Sequence, residues 1–469
     1  MPIGDVLPEI AMLVAALVAL LSASFMPRHR QWLGAPLALG GLLAAGVLCT
    51  SQLAASPRVT FSGTWALDGG GTWARLLIIA ATALAVLLSP DWLRGDRRHG
   101  EYYPMVLLSA LGAMLMAGAA DTLQLVMGVL LSSVTGYVLA AYHRDWAPSV
   151  EAGMKYFLIG ALANTLLMIG VALLFGLLGH TTYEGMSVAL ARTASSATLL
   201  LAVTLVVIGL AFKLGAVPAH AWLPDVAEGA PAPAAAFLTV VPKIGAALAL
   251  ARLLQLFPIG TAGWHPLVAI LATATMTLGN LAALGQTDIR RMIGWSSVSQ
   301  SGYALMAVAV MGLSTEALPA LLFFLAGYAV ANLAAFAVVT HLRGRTEIEH
   351  YRGLAAARPW TSAVLVLSFL SLVGIPPLAG FVGKLTLFLA TIDAGYAWLA
   401  VVAVVNTVVS LFYYLKVLAA MYFGDATKAV AVLGYCSGAS LGLAAILVVA
   451  LGIGAGTVLD ALGRISILP

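Results

Sequence analysis

The chain has 469 residues, 62% of them hydrophobic and only 9% charged, with a net charge of +4. Soluble domains carry about 25% charged residues, so this balance excludes a soluble enzyme and marks an all-α polytopic membrane protein. The arginines sit in short loops rather than on a nucleic-acid surface. Cys49 and Cys436 are too few and too far apart for an iron–sulfur or zinc site, and no glycine-rich phosphate loop follows a strand.

Apolar runs bounded by polar or Gly/Pro breaks fall at about 9–25, 33–50, 74–90, 102–119, 121–142, 152–177, 197–223, 232–256, 266–285, 293–312, 317–341, 360–391, 397–423 and 432–458. They predict about fourteen transmembrane helices. The first run has no basic region ahead of it and no cleavage site, so it is expected to stay as a span. Loops after odd-numbered runs carry Arg28, Arg30, Arg94, Arg97, Arg98, Arg144, Arg290, Arg291, Arg343, Arg345, Arg352, Arg358 and Lys428. Loops after even-numbered runs and the C-terminus offer Arg58, Arg75, Arg192, Arg252 and Arg464. Positive charge gathers on the cytoplasmic side, so both termini are expected on the periplasmic side of a bacterial inner membrane.

Two runs are long and interrupted. The seventh contains Lys213, Pro218 and His220; the twelfth contains Gly374-Ile375-Pro376-Pro377, Gly380, Gly383 and Lys384. Proline removes an intrahelical hydrogen bond, and backbone freed in this way is tolerated at membrane depth only inside protein or beside water. Paired breaks five spans apart predict inverted repeats with ion sites at the breaks. The expected organisation is a three-helix segment at 1–100, five-helix repeats at 101–256 (spans 4–8) and 257–425 (spans 9–13), and a C-terminal helix at 426–469.

Of the six lysines, five lie inside apolar runs: Lys155, Lys213, Lys243, Lys384 and Lys416. An ammonium at mid-membrane costs at least ~2.5–3.5 kcal/mol, and lysine, unlike arginine, readily changes charge on burial. The pattern points to groups that take up and release protons. Lys155 and Lys416 lie near span ends, where snorkelling to the interface explains them equally well. Glu151 stands four residues before Lys155, the spacing of a helical ion pair. His220 either relays protons or caps the broken helix.

The stretch Gly209-Leu-Ala-Phe-Lys213-Leu-Gly-Ala-Val-Pro218-Ala-His220-Ala-Trp222-Leu-Pro224-Asp225-Val-Ala-Glu228-Gly-Ala-Pro231 resembles the central signature of the antiporter-like membrane subunits of respiratory complex I and Mrp-type antiporters. Ser149-Val-Glu151-Ala-Gly-Met-Lys155, Val241-Pro242-Lys243, Arg290-Arg291-Met-Ile-Gly-Trp-Ser296-Ser297 and Gly374-Ile-Pro376-Pro377-Leu-Ala-Gly380-Phe-Val-Gly383-Lys384 extend the likeness over residues 100–425. The resemblance implies a proton path through Lys213, Lys243 and Lys384, with His220 as relay and Glu151 and Lys155 at polar positions opening span 6. It implies no cofactor in this chain: NADH, FMN, iron–sulfur clusters and quinone would belong to partner subunits. Its expected partners are further antiporter-like membrane subunits and the lipid bilayer, with no nucleic acid.

One position departs from the pattern. The family usually carries a glutamate on span 5 that pairs with the span-7 lysine, and here Leu130 stands in its place. Two consequences stay open: the path uses Glu151 or a neighbouring subunit's acid, or the chain is a non-conducting structural paralogue. A subunit of a non-redox cation/proton antiporter or ion-driven uptake complex would share the same lysines.

Overall fold

The computed structural model describes residues 2–258, 263–424 and 432–468, so Lys428 lies outside the described residues. Its helices are α1 (Leu7–Phe25), α2 (Gly34–Ser51), α3 (Gly69–Trp92), α4 (His99–Ala117), α5 (Thr122–Ala140), α6 (Ala147–Leu178), α7 (Tyr183–Leu190), α8 (Ala197–Leu214), α9 (Trp222–Gly229) and α10 (Ala232–Leu238). The chain continues with α11 (Val241–Leu254), α12 (Trp264–Leu284), α13 (Ile289–Ala309), α14 (Ala317–His341), α15 (Leu354–Ala357), α16 (Pro359–Val373), α17 (Ala379–Asp393), α18 (Ala397–Phe423), α19 (Tyr435–Ile453) and α20 (Ala455–Leu462). A small antiparallel hairpin, β1 (Arg58–Thr60) with β2 (Trp65–Leu67), joins α2 to α3. The protein is thus an all-α membrane bundle, as the apolar runs require.

Among the described residues, eleven helical segments are long and apolar enough to cross a membrane. The other three predicted runs do form helices, but two are polar and one is divided. Helix α4 opens on His99 and Glu101, and α13 carries Arg290, Arg291, Ser296, Ser297, Ser299, Gln300 and Ser301. The twelfth run becomes the 15-residue helices α16 and α17. The eighth run is also broken, between α10 and α11, which the sequence reading did not expect. Pro242 explains it, because its ring clashes with the carbonyl four residues earlier and it has no N–H to donate.

Helices α11 and α14 are buried along nearly their whole length, so they form the centre of the bundle. Helices α1, α2, α6 and α18 instead present exposed leucine, valine and phenylalanine side chains, as lipid contact demands.

Hydrogen bonds between loops sort them onto two faces. On one face, Gln31 accepts from the Gly100 amide, Tyr142 donates to the Arg98 carbonyl, Arg343 to that of Trp92, and Ile289 to that of Thr346. On the other, Gln52 donates to the Gly4 carbonyl, Ala66 to that of Gly118, Thr122 to that of Thr181, and Gly70 to that of Ser466. Loops after odd and even runs therefore lie at opposite ends of the bundle, and both termini share the second end.

Three arginines counted as loop charges are not loop charges. Arg75 and Arg252 are fully buried in α3 and α11, and Arg290 is buried in the first turn of α13. Arg75 meets Glu9 of α1 at 3.2 Å, and Arg252 meets Asp68 at 2.5 Å. Arg290 donates to the carbonyls of Ala227 and Ala230. A guanidinium buried in this way acts as a rivet between helices, not as a topology signal.

Candidate functional site: three lysines at three helix breaks

Helix α8 ends because Gly215 adopts a left-handed conformation (φ +67°) and Pro218 follows. Carbonyls left without intrahelical partners must find others. Here the indole of Trp222 donates to Phe212 (3.0 Å) and the hydroxyl of Ser301 donates to Leu214 (2.5 Å). The second break repeats this chemistry. Gly374 (φ +96°) ends α16, the Gln300 amide donates to the Leu372 carbonyl (3.1 Å), and Lys384 donates to that of Val373 (3.0 Å). A Cβ at Gly380 would overlap the Ser371 carbonyl, so only glycine lets α17 fold back so closely.

Each of the three buried lysines stands beside one break. Lys213 occupies the last turn of α8, Lys243 the first turn of α11, and Lys384 the first half of α17. All three are buried. A helix C-terminal end carries partial negative charge, which favours the ammonium of Lys213 and that of Lys384 against the end of α16.

Helix α13 is the spine that connects them. Lys243 donates to the Ser297 carbonyl (2.5 Å), the Ser297 hydroxyl (2.7 Å) and the Ser301 hydroxyl (2.8 Å). Ser301 Oγ has the carbonyls of Leu214 (2.5 Å) and Ser297 (3.0 Å) within reach of its proton, Tyr328 donates to the Thr239 carbonyl at 2.8 Å, and the Ser297 and Tyr328 hydroxyls share a bond at 2.6 Å. Lys243 Nζ thus has three oxygen partners, as many as an ammonium can donate to.

Lys213 and Lys384 are held more loosely. Lys213 has Ser132 Oγ at 3.4 Å and the rings of Tyr156 and Phe212 at 5.9 and 5.7 Å. Lys384 has its one carbonyl and the Tyr303 ring at 4.3 Å. The Leu214 carbonyl and Ser301 link the end of α8 to Lys243. Gln300 and Tyr303, on the same helix, face the second break and Lys384. The arrangement offers one tightly solvated cation site flanked by two weaker ones.

The remaining sequence candidates separate from this line. His220 lies in the break, half-buried, with its ring 5.7 Å from that of Trp295, and its Nδ1 has no hydrogen-bond partner. Glu151 and Lys155 lie in the first turns of α6 and are not buried. Lys155 is half-exposed and pairs with Glu151 (2.7 Å) and Asp225 (3.1 Å), while Arg291 pairs with Asp225 and Glu228 (both 2.6 Å). This network straps α9 to α6 and α13 at the arginine-rich end. Lys416 is likewise exposed and donates to the Gln286 carbonyl. On α5 the side chain that reaches Lys213 is Ser132; Leu130, two residues away, is partly buried against the apolar core. Sequence reasoning missed the roles of Ser132, Ser297, Ser301 and Tyr328. The i,i+4 spacing of Ser297 and Ser301 in the polar run of α13 was the available signal.

Comparison with known proteins places these features in context. The family model described as "NADH:quinone oxidoreductase/Mrp antiporter, TM" matches residues 119–410. A Mycobacterium sp. (strain JLS) protein named NADH-quinone oxidoreductase subunit N is 46% identical over 87% of this chain and 86% of its own length. A Streptomyces griseus protein named NADH-quinone oxidoreductase subunit N 1 is 44% identical over 97% of both chains. Among solved structures, a chain of respiratory complex I from Thermus thermophilus with bound aureothin superposes with TM-score 0.83 at 29% identity, covering 97% of this chain and 99% of that one. A chain of the Mrp complex from Dietzia sp. DQ12-45-1b shares the fold, with TM-score 0.85 at 23% identity over 99% and 97%.

Proposed function

The chain belongs to the NADH:quinone oxidoreductase/Mrp antiporter transmembrane family, and from that premise we propose that it is the proton-translocating subunit N of a complex I-type NADH:quinone oxidoreductase. The observation that carries the reading is the line of buried lysines at helix breaks, joined through α13. Protons move by charge alternation: Lys243 in its cage is the resting cation, and Lys213 and Lys384 gain or lose theirs as neighbouring charge arrives or leaves. A unit charge ~6 Å away at an effective dielectric of ~20 is worth about 2.8 kcal/mol, roughly a hundredfold in a protonation equilibrium. That range is enough to switch a site held by one or two contacts.

His220, with its open Nδ1 inside the first break, is the relay between the charged end and Lys213. Glu151, Lys155 and their partners hold α9 in place at the mouth. The division into two inverted five-helix repeats, at 101–256 and 257–425, is supported by matched packing. Helices α4 and α5 pair as α12 and α13 do, α6 packs on broken α8 as α14 packs on broken α16 and α17, and α11 closes on α4 as α18 closes on α12. Fourteen crossings follow when α4, α13 and the α16–α17 pair are counted as spans. The arginine-rich face is cytoplasmic and both termini are periplasmic. NADH, FMN, clusters and quinone reside on partner subunits, and the further antiporter-like subunits of the complex are the lateral neighbours.

Leu130 supports a second reading, a structural paralogue with no working path. The test is Lys243→Ala in inverted membrane vesicles, reading NADH-driven acidification beside NADH oxidation. Loss of acidification at unchanged complex content supports the proton path; unchanged acidification supports the paralogue.

A further inference from the structure

At the arginine-rich end, a cleft of about 790 Å³ opens between the α1–α2 connection, the α3–α4 connection and the start of α19. Arg28, His29, Arg94 and Arg97 line it, and all four are exposed. No hydrogen bond or ion pair engages the three guanidiniums among the described residues. The two carboxylates of the cleft are already occupied. Asp91 accepts from the Ser437 amide at 2.9 Å; Asp96 accepts from the Arg98 amide at 2.8 Å and lies 3.8 Å from His143. Counting both, the three arginines still leave a net positive charge before His29 is added.

The cleft also sits at the edge of the bilayer. Helix α1 ends at Phe25, which is 85% exposed, and α19 begins at Tyr435, which is 97% exposed. Trp32, on the cleft wall, is 53% exposed. Exposed aromatic side chains at helix ends mark the headgroup level of a membrane. Guanidiniums match phosphate oxygens with paired N–H donors, and basic clefts between helices on the cytoplasmic side suit anionic lipid headgroups.

We infer that this cleft binds the phosphodiester headgroup of an anionic glycerophospholipid, with Arg28, Arg94 and Arg97 on the phosphate and Trp32 at the glycerol level. The bound lipid would tie the N-terminal helices to α19 across a seam that few polar contacts cross. The site uses none of the buried lysines, so it stands or falls apart from the proton path.

The experiment purifies the assembled complex in detergent and quantifies retained phospholipid by native mass spectrometry and extraction. Wild type is compared with Arg28→Gln/Arg94→Gln/Arg97→Gln, with each single variant, and with Arg144→Gln, an exposed arginine on the same face outside the cleft. At roughly tenfold or more for the three charges together, the triple variant loses at least one retained anionic lipid, single variants lose part of it, and Arg144→Gln loses none. Wild-type complex depleted of lipid recovers it from phosphatidylglycerol vesicles but not from phosphatidylcholine vesicles, and millimolar inorganic phosphate does not block recovery. Equal lipid content in wild type and triple variant overturns the inference. So does displacement by inorganic phosphate, which would make this a free-phosphate site, or cross-linking of the arginines to an acidic segment of a neighbouring subunit in complex that holds no lipid there.

Discussion

Asp68→Asn isolates one charge in the middle of a buried clamp. Asp68 caps α3 by accepting from the Gly71 amide (2.7 Å), and its two oxygens receive Arg252 at 2.5 and 3.1 Å. The same carboxylate accepts from the Leu468 amide (2.9 Å), while Arg252 also donates to the Leu468 carbonyl (2.6 Å) and the Ala117 carbonyl (3.2 Å). One pair therefore joins α3, α4, α11 and the C-terminal segment, with neither side chain exposed. Asparagine can keep the cap at Gly71, but the substitution removes the charge and turns the oxygen that accepts from Arg252 and the Leu468 amide into an NH2 that cannot accept. It leaves a guanidinium buried without a counter-ion, which costs about 3–5 kcal/mol. Part of that loss appears as opening of the C-terminal segment, where tryptic cleavage at exposed Arg464 would rise on the order of a hundredfold. Replacing both partners, Asp68→Asn with Arg252→Met, removes the stranded charge and recovers most of the loss, since apolar replacement of a buried pair is often near neutral. The reasoning is refuted if Asp68→Asn melts and cleaves like wild type, or if the double variant is worse than either single one.

Ser301→Ala removes one acceptor from the Lys243 cage and the partner of the Leu214 carbonyl. A hydrogen bond to a charged group is worth about 1.5–3 kcal/mol, so proton pumping should slow by tenfold or more while NADH oxidation in uncoupled membranes is unaffected. Ser301→Thr, which keeps the hydroxyl, should restore much of the rate. Gly380→Ala should prevent α17 from folding back against Ser371, and blue-native gels should show reduced assembled complex. Burial holds the Asp288 carboxyl at the start of α13 above the usual carboxylate range, despite the Arg291 amide it caps. A raised carboxyl stabilises the fold below its ordinary value and loses that contribution as pH rises through the folded one. Asp288→Asn should therefore leave thermal stability equal or higher at neutral pH, with the gain shrinking on acidification; a loss at neutral pH would contradict this.

The class of fold was legible because lipid imposes a simple rule: long apolar runs become helices, and Pro/Gly pairs such as Gly374 with Pro376 break them. The breaks at Pro218 and Pro376 were visible for that reason. The break between α10 and α11 was not, because the run at 232–256 that contains Pro242 has the length of a single span. Arg75 and Arg252 misled the loop count because a buried guanidinium and a loop guanidinium look alike until Glu9 and Asp68, 66 and 184 residues away, are seen beside them. The same holds for the site. Lys213, Lys243 and Lys384 stand out in sequence as costly charges in apolar surroundings, whereas Ser132, Ser297 and Ser301 blend in with the many serines that bond only to their own helix. Their role arises from packing α13 against two breaks, and the i,i+4 spacing of Ser297 and Ser301 is its one local trace. The spacing of Glu151 and Lys155 promised an ion pair, which formed at the open start of α6 with Asp225 beside it.

The most direct test of the central claim is proton pumping by membrane vesicles carrying Lys213→Ala, with NADH oxidation measured in the same preparation. A working path through the break of α8 predicts that pumping falls sharply while the complex remains assembled and electrons still reach quinone, with Ser132 sufficient where Leu130 replaces an acid. Undiminished pumping would contradict it and leave this chain as a scaffold beside the subunits that move the protons.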